Sequence, residues 1–327
     1  MKSSRRSTFR DIRAGSDQGM NFYLAPMEGI TGYIYRNAVK EYFGVGIAKY
    51  FTPFLVVHEK KPVSSKEKND ILPEHNEGIN LIPQILTDDA LGFLRIEAEL
   101  SRYGYNEVNL NLGCPSKTVA NKGRGSGFLA RPGELDDFLY KIFEGRHGDI
   151  SVKTRIGTTD TDEFKELLEI FNKYPIKELI IHPRLRYEYY KGSPHRDVFY
   201  GALERSLNPV CYNGDVYSGS DMDELIKGTQ NRLEAVMIGR GMLTDPSLIR
   251  CLSGGKPYTK EEINEFLRRL REDYSREFSG ERPVLQKLKE LWSYMGMRFP
   301  DKEAAVKNLL KCRSLTELKM FEMQILG

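Results

Sequence analysis

The side chains best suited to chemistry in this chain of 327 residues stand where short apolar runs end. Cys114 closes the segment Val108-Asn-Leu-Asn-Leu-Gly-Cys-Pro115. Placed between a glycine and a proline, it leaves the run in a constrained turn that presents its sulfur outward. A thiol with an ordinary pKa of ~8.5 is mostly protonated at neutral pH and suits proton donation. A nucleophilic cysteine would want a histidine beside it, and the local sequence supplies none. Lys153 lies inside the apolar stretch Ile150-Ser-Val-Lys-Thr-Arg-Ile156. A lysine within a buried strand costs free energy unless a partner or ligand compensates it, so it is either a salt-bridged structural residue or one that stabilises negative charge on something bound. His182 follows Leu179-Ile-Ile181 and allows the same two readings.

Other run ends are loaded in the same way. The first ends in Ala25-Pro26-Met27-Glu28-Gly29 and the third carries Gln84. Asn109 and Asn111 precede Cys114, Arg155 follows Lys153, and Arg184 follows His182. The last two runs end in Asn213-Gly214-Asp215 and Gly239-Arg240-Gly241. Glycines at 214, 239 and 241 let backbone N–H groups approach an anion, and Arg240 adds charge, so these two turns are expected to form a phosphate site. Asp245-Pro246 reads as a helix N-cap followed by proline in the first turn.

The elements that must hold these residues are legible as alternating runs. Eight apolar strands are expected at Phe22–Met27, Ile47–Phe54, Ile79–Leu86, Glu107–Gly113, Ile150–Ile156, Glu178–His182, Pro209–Asn213 and Ala235–Gly239. Amphipathic stretches such as Ala90–Tyr103, Glu134–Glu144 and Asp162–Tyr174 separate them; in the last, Phe164, Leu167, Leu168 and Phe171 share one helical face. Strand-helix units of about thirty residues imply a parallel sheet, and eight of them predict an α/β fold, a (β/α)8 TIM barrel. The alternative, an open doubly wound sheet, would want an early GxGxxG turn, which is absent. Such barrels keep their active sites at the carboxyl ends of the strands, where the residues above collect.

From about residue 257 the strand pattern stops. Helices are expected over Lys260–Phe278, Pro283–Met295, Lys302–Lys311 and Leu315–Leu326, a small C-terminal helical domain with Arg268, Arg269, Arg271, Arg276, Arg282, Lys287 and Lys289. Interleaved acids make a solvated surface as good a reading as nucleic-acid contact. Three segments are therefore expected: a disordered basic tail or extension over 1–19, with Met20 a possible start; a barrel over 20–256; and helices over 257–327. The cysteines at 114, 211, 251 and 312 show no CxxC spacing, which argues against a disulfide framework and a zinc site; no metal is expected. A net charge of +3 does not by itself announce a nucleic-acid binder. The absence of any run of ~18 apolar residues, or of an apolar stretch after the basic start, predicts a cytoplasmic protein with no membrane partner.

Taken in order, the segments resemble the tRNA-dihydrouridine synthase family. Val108-Asn-Leu-Asn-Leu-Gly-Cys-Pro-Ser-Lys-Thr-Val119 with Gly125-Ser126 is similar to that family's signature around its catalytic cysteine. Leu24-Ala-Pro-Met27, Pro83-Gln84, Lys153-Thr-Arg155, His182, Asn213-Gly-Asp215 and Met237-Ile-Gly-Arg-Gly241 match in sequence order, from roughly Phe22 to Leu248. The resemblance implies FMN at the barrel mouth, recharged by NADPH and held by Pro26, Met27, Glu28, Gln84, Lys153, His182, Asn213, Gly214, Asp215, Gly239 and Arg240. It implies that Asn111 and Arg155 position a uracil of tRNA, that hydride reaches C6, and that Cys114 protonates C5. The base would be turned out of the RNA fold, with the helical domain gripping phosphates, and the protein would act as a monomer without an obligate protein partner. The chain departs from the family at Leu185, where His-x-Arg is usually followed by threonine, and in Thr31–Arg36, which lacks an acidic residue often found there; Tyr190-Lys191-Gly192 resembles the expected continuation. Two rivals stand beside this reading: an FMN barrel acting on a free pyrimidine, as dihydroorotate dehydrogenase does, and a non-catalytic RNA-binding barrel.

Overall fold

A computed structural model describes residues 19–59 and 61–327; the expectation of a disordered tail falls almost wholly outside them. Ten parallel strands form one sheet: β1 (Asn21–Leu24), β2 (Ile47–Phe51), β3 (Leu55–Val56), β4 (Leu81–Ile82), β5 (Gln84–Leu86), β6 (Glu107–Leu112), β7 (Asp149–Arg155), β8 (Leu179–His182), β9 (Val210–Asn213) and β10 (Ala235–Ile238). The ladder runs β3-β5-β6-β7-β8-β9-β10-β1-β2-β4. Its two ends meet in the chain itself. β4 and β5 are pieces of one strand interrupted at Pro83, whose missing N–H removes a ladder donor, while its carbonyl still accepts from Asn109 N at 2.8 Å. β2 and β3 are likewise one strand, broken around Pro53. Eight strands therefore close a barrel, as expected, with two of them split where the sequence pattern read straight through.

Helices cover the outside, among them Ala90–Arg102, Pro132–Gly145 and Glu163–Phe171. The face Phe164, Leu167, Leu168 and Phe171 is buried as its spacing requires. Inside the barrel, Tyr23, Ala25, Phe51, Ile82, Ile180, Cys211, Ala235 and Met237 fill the core. Near the amino ends of the strands, Lys49 pairs with Glu107 at 2.9 Å, and Glu178 accepts from the Tyr23 hydroxyl at 2.9 Å. This packed floor leaves the carboxyl ends as the open face.

After the barrel come helices at Lys260–Glu277, Glu281–Met295, Glu303–Lys311 and Leu315–Leu326. The first is opened by a Thr259 capping box. These helices share the barrel's own outer core: Phe266 packs edge-on against Phe43 at 5.2 Å and against Tyr35 at 6.1 Å, and Trp292 is fully buried with its indole N–H on Glu322 at 2.9 Å. Six of the seven basic residues noted there are engaged. Arg268, Arg269, Arg271 and Arg276 pair with carboxylates, Lys287 donates to the Gly29 carbonyl, and Lys289 donates to that of Cys312. Contrary to expectation, Asp245 is not the N-cap and Pro246 is not in the first turn: the helix Leu248–Leu252 has Ser247 at its N-cap, and Asp245 accepts from Ser247 N at 2.9 Å and pairs with Arg298.

Candidate active site

The barrel mouth holds a cavity of about 320 Å³ lined by Pro26, Met27, Glu28, Gln84, Asn111, Cys114, Lys153, Arg155 and His182. Nine residues singled out in the sequence, scattered from position 26 to 182, thus meet in one place. Pro53, Phe54, Gly113, Pro115, Ser116, Tyr189, Tyr190 and, from the C-terminal helices, Tyr294 complete the lining. Of these, Tyr190 carried a signal, through its match to the family continuation; Tyr294 belongs to a helix whose pattern says only that it is amphipathic.

An amide chain fixes the wall that carries the thiol. Gln84 donates to Asn109 Oδ1 at 2.8 Å, and Asn111 donates to Gln84 Oε1 at 2.7 Å. The Asn111 carbonyl oxygen then accepts the backbone N–H of Gly113 at 3.0 Å and of Cys114 at 2.9 Å. On the other side of the turn, Ser126 donates both its N–H and its hydroxyl to the Cys114 carbonyl. Gly125 sits at φ +55, and a Cβ there would meet that same carbonyl at 2.9 Å, so only glycine fits the close approach. Burial pushes the Cys114 thiol up, against the opposing pull of the Ser116 N–H, Arg155 and Lys153, and keeps it protonated at neutral pH.

Arg155 is wholly buried and spends its guanidinium on the backbone. It donates to the carbonyls of Gly113 at 3.0 Å, Leu185 at 2.9 Å and Tyr189 at 2.6 Å. It ties the thiol loop to the loop after β8, where Tyr189 adopts φ 53. Lys153 makes no ion pair or side-chain hydrogen bond among the described residues. Burial, followed by the charge of Arg155, pushes its ammonium down to about 8. The salt-bridged structural reading of this lysine is therefore without its salt bridge.

Asn213, Gly214, Asp215, Gly239 and Arg240 form a second group beside the cavity rather than in its lining. Asn213 donates to the Met237 carbonyl at 2.8 Å, joining β9 to β10. Arg184 grips Asp215 through both oxygens at 2.9 and 2.6 Å, and Arg240 pairs with the same carboxylate. Burial works to raise the Asp215 carboxyl, but these two cations hold it below the usual range. The group reaches the cavity through Tyr190, whose ring lies 4.7 Å from the Arg240 guanidinium and 5.5 Å from that of Arg155. A Cβ on Gly239 would come 3.3 Å from both Ala25 Cβ and Met27 Sδ, which marks a close approach to the cavity wall.

The arrangement offers an unpaired cation, a ring of amide donors and acceptors, a glycine-lined edge with an arginine, and a neutral thiol. These fit a planar, hydrogen-bonding, anionic cofactor of the flavin type better than a metal; among the described residues no cluster of His, Cys, Asp or Glu has the makings of a metal site. A second cavity of about 290 Å³ lies between residues 28–34 and the helices carrying Tyr274 and Lys287. It shares Glu28 and Pro53 with the first and contains neither cysteine nor histidine, so the chemistry belongs to the first.

Comparison with known proteins agrees with this geometry. The sequence model of the dihydrouridine synthase family matches residues 23–320. Among curated relatives, "Probable tRNA-dihydrouridine synthase 2" of Bacillus subtilis is 29% identical over 265 residues, covering 78% of this chain and 79% of the relative. The tRNA-dihydrouridine synthase B of Pasteurella multocida is 28% identical over 271 residues, covering 80% of each. In solved structures the same fold occurs in histamine dehydrogenase from a Rhizobium species (TM-score 0.54, 14% identity, 76% of this chain and 46% of that one). It also occurs in old yellow enzyme from Trypanosoma cruzi (TM-score 0.52, 10% identity, 74% and 89%).

Proposed function

The chain belongs to the dihydrouridine synthase family, and from that premise we propose that it reduces the C5=C6 bond of uridine in tRNA, with FMN as cofactor and NADPH as reductant. The observation that carries the reading is the convergence of Cys114, Lys153, Gln84, Asn111 and His182 on one cavity at the barrel mouth, with the thiol protonated and the lysine unpaired. FMN bound there supplies the hydride for C6 of the uracil. Pro26, Met27, Glu28, Gln84, Lys153 and His182 line the space for its ring system; Asn213, Gly214, Asp215, Gly239 and Arg240 form the edge suited to its phosphate.

The chain's own part in the reaction is to place a proton. Cys114 gives its thiol proton to C5 of the uracil, as a general acid whose raised pKa keeps it loaded at neutral pH. Asn111 and Arg155 position the base by holding the wall it meets: Asn111 fixes the Cys114 backbone, and Arg155 fixes Gly113 and the loop bearing Tyr189 and Tyr190. Lys153 keeps positive charge against the cofactor in a water-poor site, where it counts most. A uridine inside folded RNA reaches this cavity only when extruded, and the tyrosines at 189, 190 and 294 offer rings against which such a base can lie.

Residues 257–327 are proposed to grip the RNA as a helical domain. Several of their basic side chains are already paired; the exposed Lys260, Arg282, Lys302, Lys311, Arg313 and Lys319, with Lys117, Lys122 and Lys191 beside the barrel mouth, are the available cations. The family assignment sets aside the free-pyrimidine and non-catalytic readings. A cytoplasmic location is part of the proposal because of its tRNA substrate; separately, no helix among the described residues is long and apolar enough to cross a membrane.

The test is direct. Purified protein given NADPH and unmodified tRNA transcripts should produce dihydrouridine, detected by nucleoside mass spectrometry, with a flavin absorbance that bleaches on NADPH addition. A colourless protein that takes up no FMN and leaves uridine intact overturns the reading.

A further inference from the structure

Among the groups at the cavity that could in principle deliver a proton are the Cys114 thiol and an imidazolium at His182. The structure removes the second. β8 ends in His182, and Pro183 then forces a tight turn in which the Arg184 N–H donates to the His182 carbonyl at 2.7 Å. This turn folds the Arg184 side chain back, so that its Nη1 lies 3.1 Å from His182 Nε2. A guanidinium only donates hydrogen bonds and does not lose its proton in a protein. His182 Nε2 must therefore be the acceptor and carry no hydrogen, and the ring's proton must sit on Nδ1. Nδ1 has no protein partner among the described residues, while the ring lines the cavity.

We propose that Arg184 is a positioning residue that locks His182 as the neutral Nδ1–H tautomer, making it a fixed hydrogen-bond donor to an acceptor atom of the flavin ring and taking the imidazole out of the set of proton sources. The part concerning the flavin rests on the function proposed above; the tautomer does not. The lock is itself immobilised. Arg184 is wholly buried and holds both oxygens of Asp215 and the carbonyls of Lys191 and Gly192. It cannot swing away without breaking the loop that carries Tyr190.

The charges around the ring act in the same direction. Lys153 and Arg155 face it from β7, Arg184 from its own turn and Arg240 from the turn after β10. The Asp215 carboxylate, after β9, is engaged by two of these arginines, and the Tyr190 ring lies 6.1 Å away. Burial first, then Arg155, Lys153, Arg184 and Arg240, hold the imidazole well below its ordinary pKa. A second proton on the ring would have to displace the Arg184 hydrogen bond and join three other cations.

The decisive measurement uses the whole, flavin-free protein labelled with 15N-histidine. The chain has five histidines, so a long-range 15N–1H correlation spectrum resolves them, and loss of one pattern in His182→Asn assigns the ring. We expect Nδ1 protonated and Nε2 bare, unchanged between about pH 5 and pH 8. A proton on Nε2, or a ring that titrates near ~6.5, overturns the proposal. Arg184→Met should release the lock, giving a mixture of tautomers and weakening flavin binding about 3- to 10-fold, the loss of one well-aligned hydrogen bond. A single Nδ1–H tautomer with undiminished affinity in that variant equally overturns it. Should Arg184→Met fail to fold, the wild-type spectrum decides alone. Should wild-type protein bind no flavin at all, the cofactor reading fails while the tautomer result stands on its own.

Discussion

Replacing Lys153 by methionine should make the flavin-free protein more stable, even though it damages the site. The ammonium belongs to a partly buried residue lining the cavity, makes no ion pair among the described residues, and has Arg155 beside it on the same strand. Its pKa falls from the ordinary 10.5 to about 8. At roughly 1.36 kcal/mol per unit, that displacement corresponds to about 3 kcal/mol of unfavourable free energy in the folded state. Water entering the cavity relieves part of it, so a gain of about 2 kcal/mol at pH 7 is expected from Lys153→Met, which keeps the length of the side chain and removes the charge. The dependence on pH identifies the cause. Below about pH 8 the lysine is charged in both folded and unfolded chains, and the whole penalty is present. Between about 8 and 10.5 the folded chain has lost the proton and the unfolded chain still holds it, so wild-type stability rises with pH in that window. Above it both states are neutral and the variant's advantage disappears. Denaturant unfolding of the two flavin-free proteins at pH 7 and pH 10 measures this as a change in midpoint at constant slope. Titrating groups that do not feel Lys153 are common to both proteins and cancel in the difference; Cys114 and His182, which do feel it, leave residual contributions. Titration with FMN should at the same time show weaker binding to the variant. A variant less stable than wild type at pH 7, or an advantage equal at both pH values, would refute the argument that an uncompensated buried charge is held in readiness for a ligand.

Two further outcomes follow from the geometry. Cys114→Ala should retain FMN and its reduction by NADPH while tRNA reduction falls by about 10²–10⁴, the usual cost of a lost general acid; single-turnover kinetics with pre-reduced protein measures the step, and full activity would dismiss the role. Truncation before residue 257 should not leave a working barrel, because Phe266 packs on Tyr35 and Phe43 and its removal opens that part of the outer core to water. Aggregation or loss of cooperative unfolding is expected, and a soluble truncated protein that unfolds cooperatively would show that the two regions are independent.

Why one layer of this protein was legible in its sequence and another was not comes down to the range of the interactions involved. The eight strands were readable because burial of a parallel strand on both faces demands a continuous apolar run, a local property. Polar residues at the ends of such runs stood out against that background, and seven of them, with Pro26 and Met27, proved to line one cavity. The splits at Pro53 and Pro83 were missed because an apolar run does not record whether its backbone donors find partners across the sheet. What the strand pattern could not carry was the partner of each side chain. Asn111 and Arg155 were expected to position a uracil because the resemblance to the family implies it. In the fold, Asn111 gives its oxygen to the backbone of Gly113 and Cys114, and Arg155 gives its donors to three carbonyls up to 42 residues away in sequence. Tyr294 reaches the cavity from a helix more than a hundred residues beyond His182, a contact only the packing of Phe266 and Trp292 against the barrel arranges. The residues that can touch a ligand are thus set by short-range patterning, whereas those that hold them still are set by contacts distant in sequence. Substitutions in the second set should therefore alter the reaction without touching the reacting atoms.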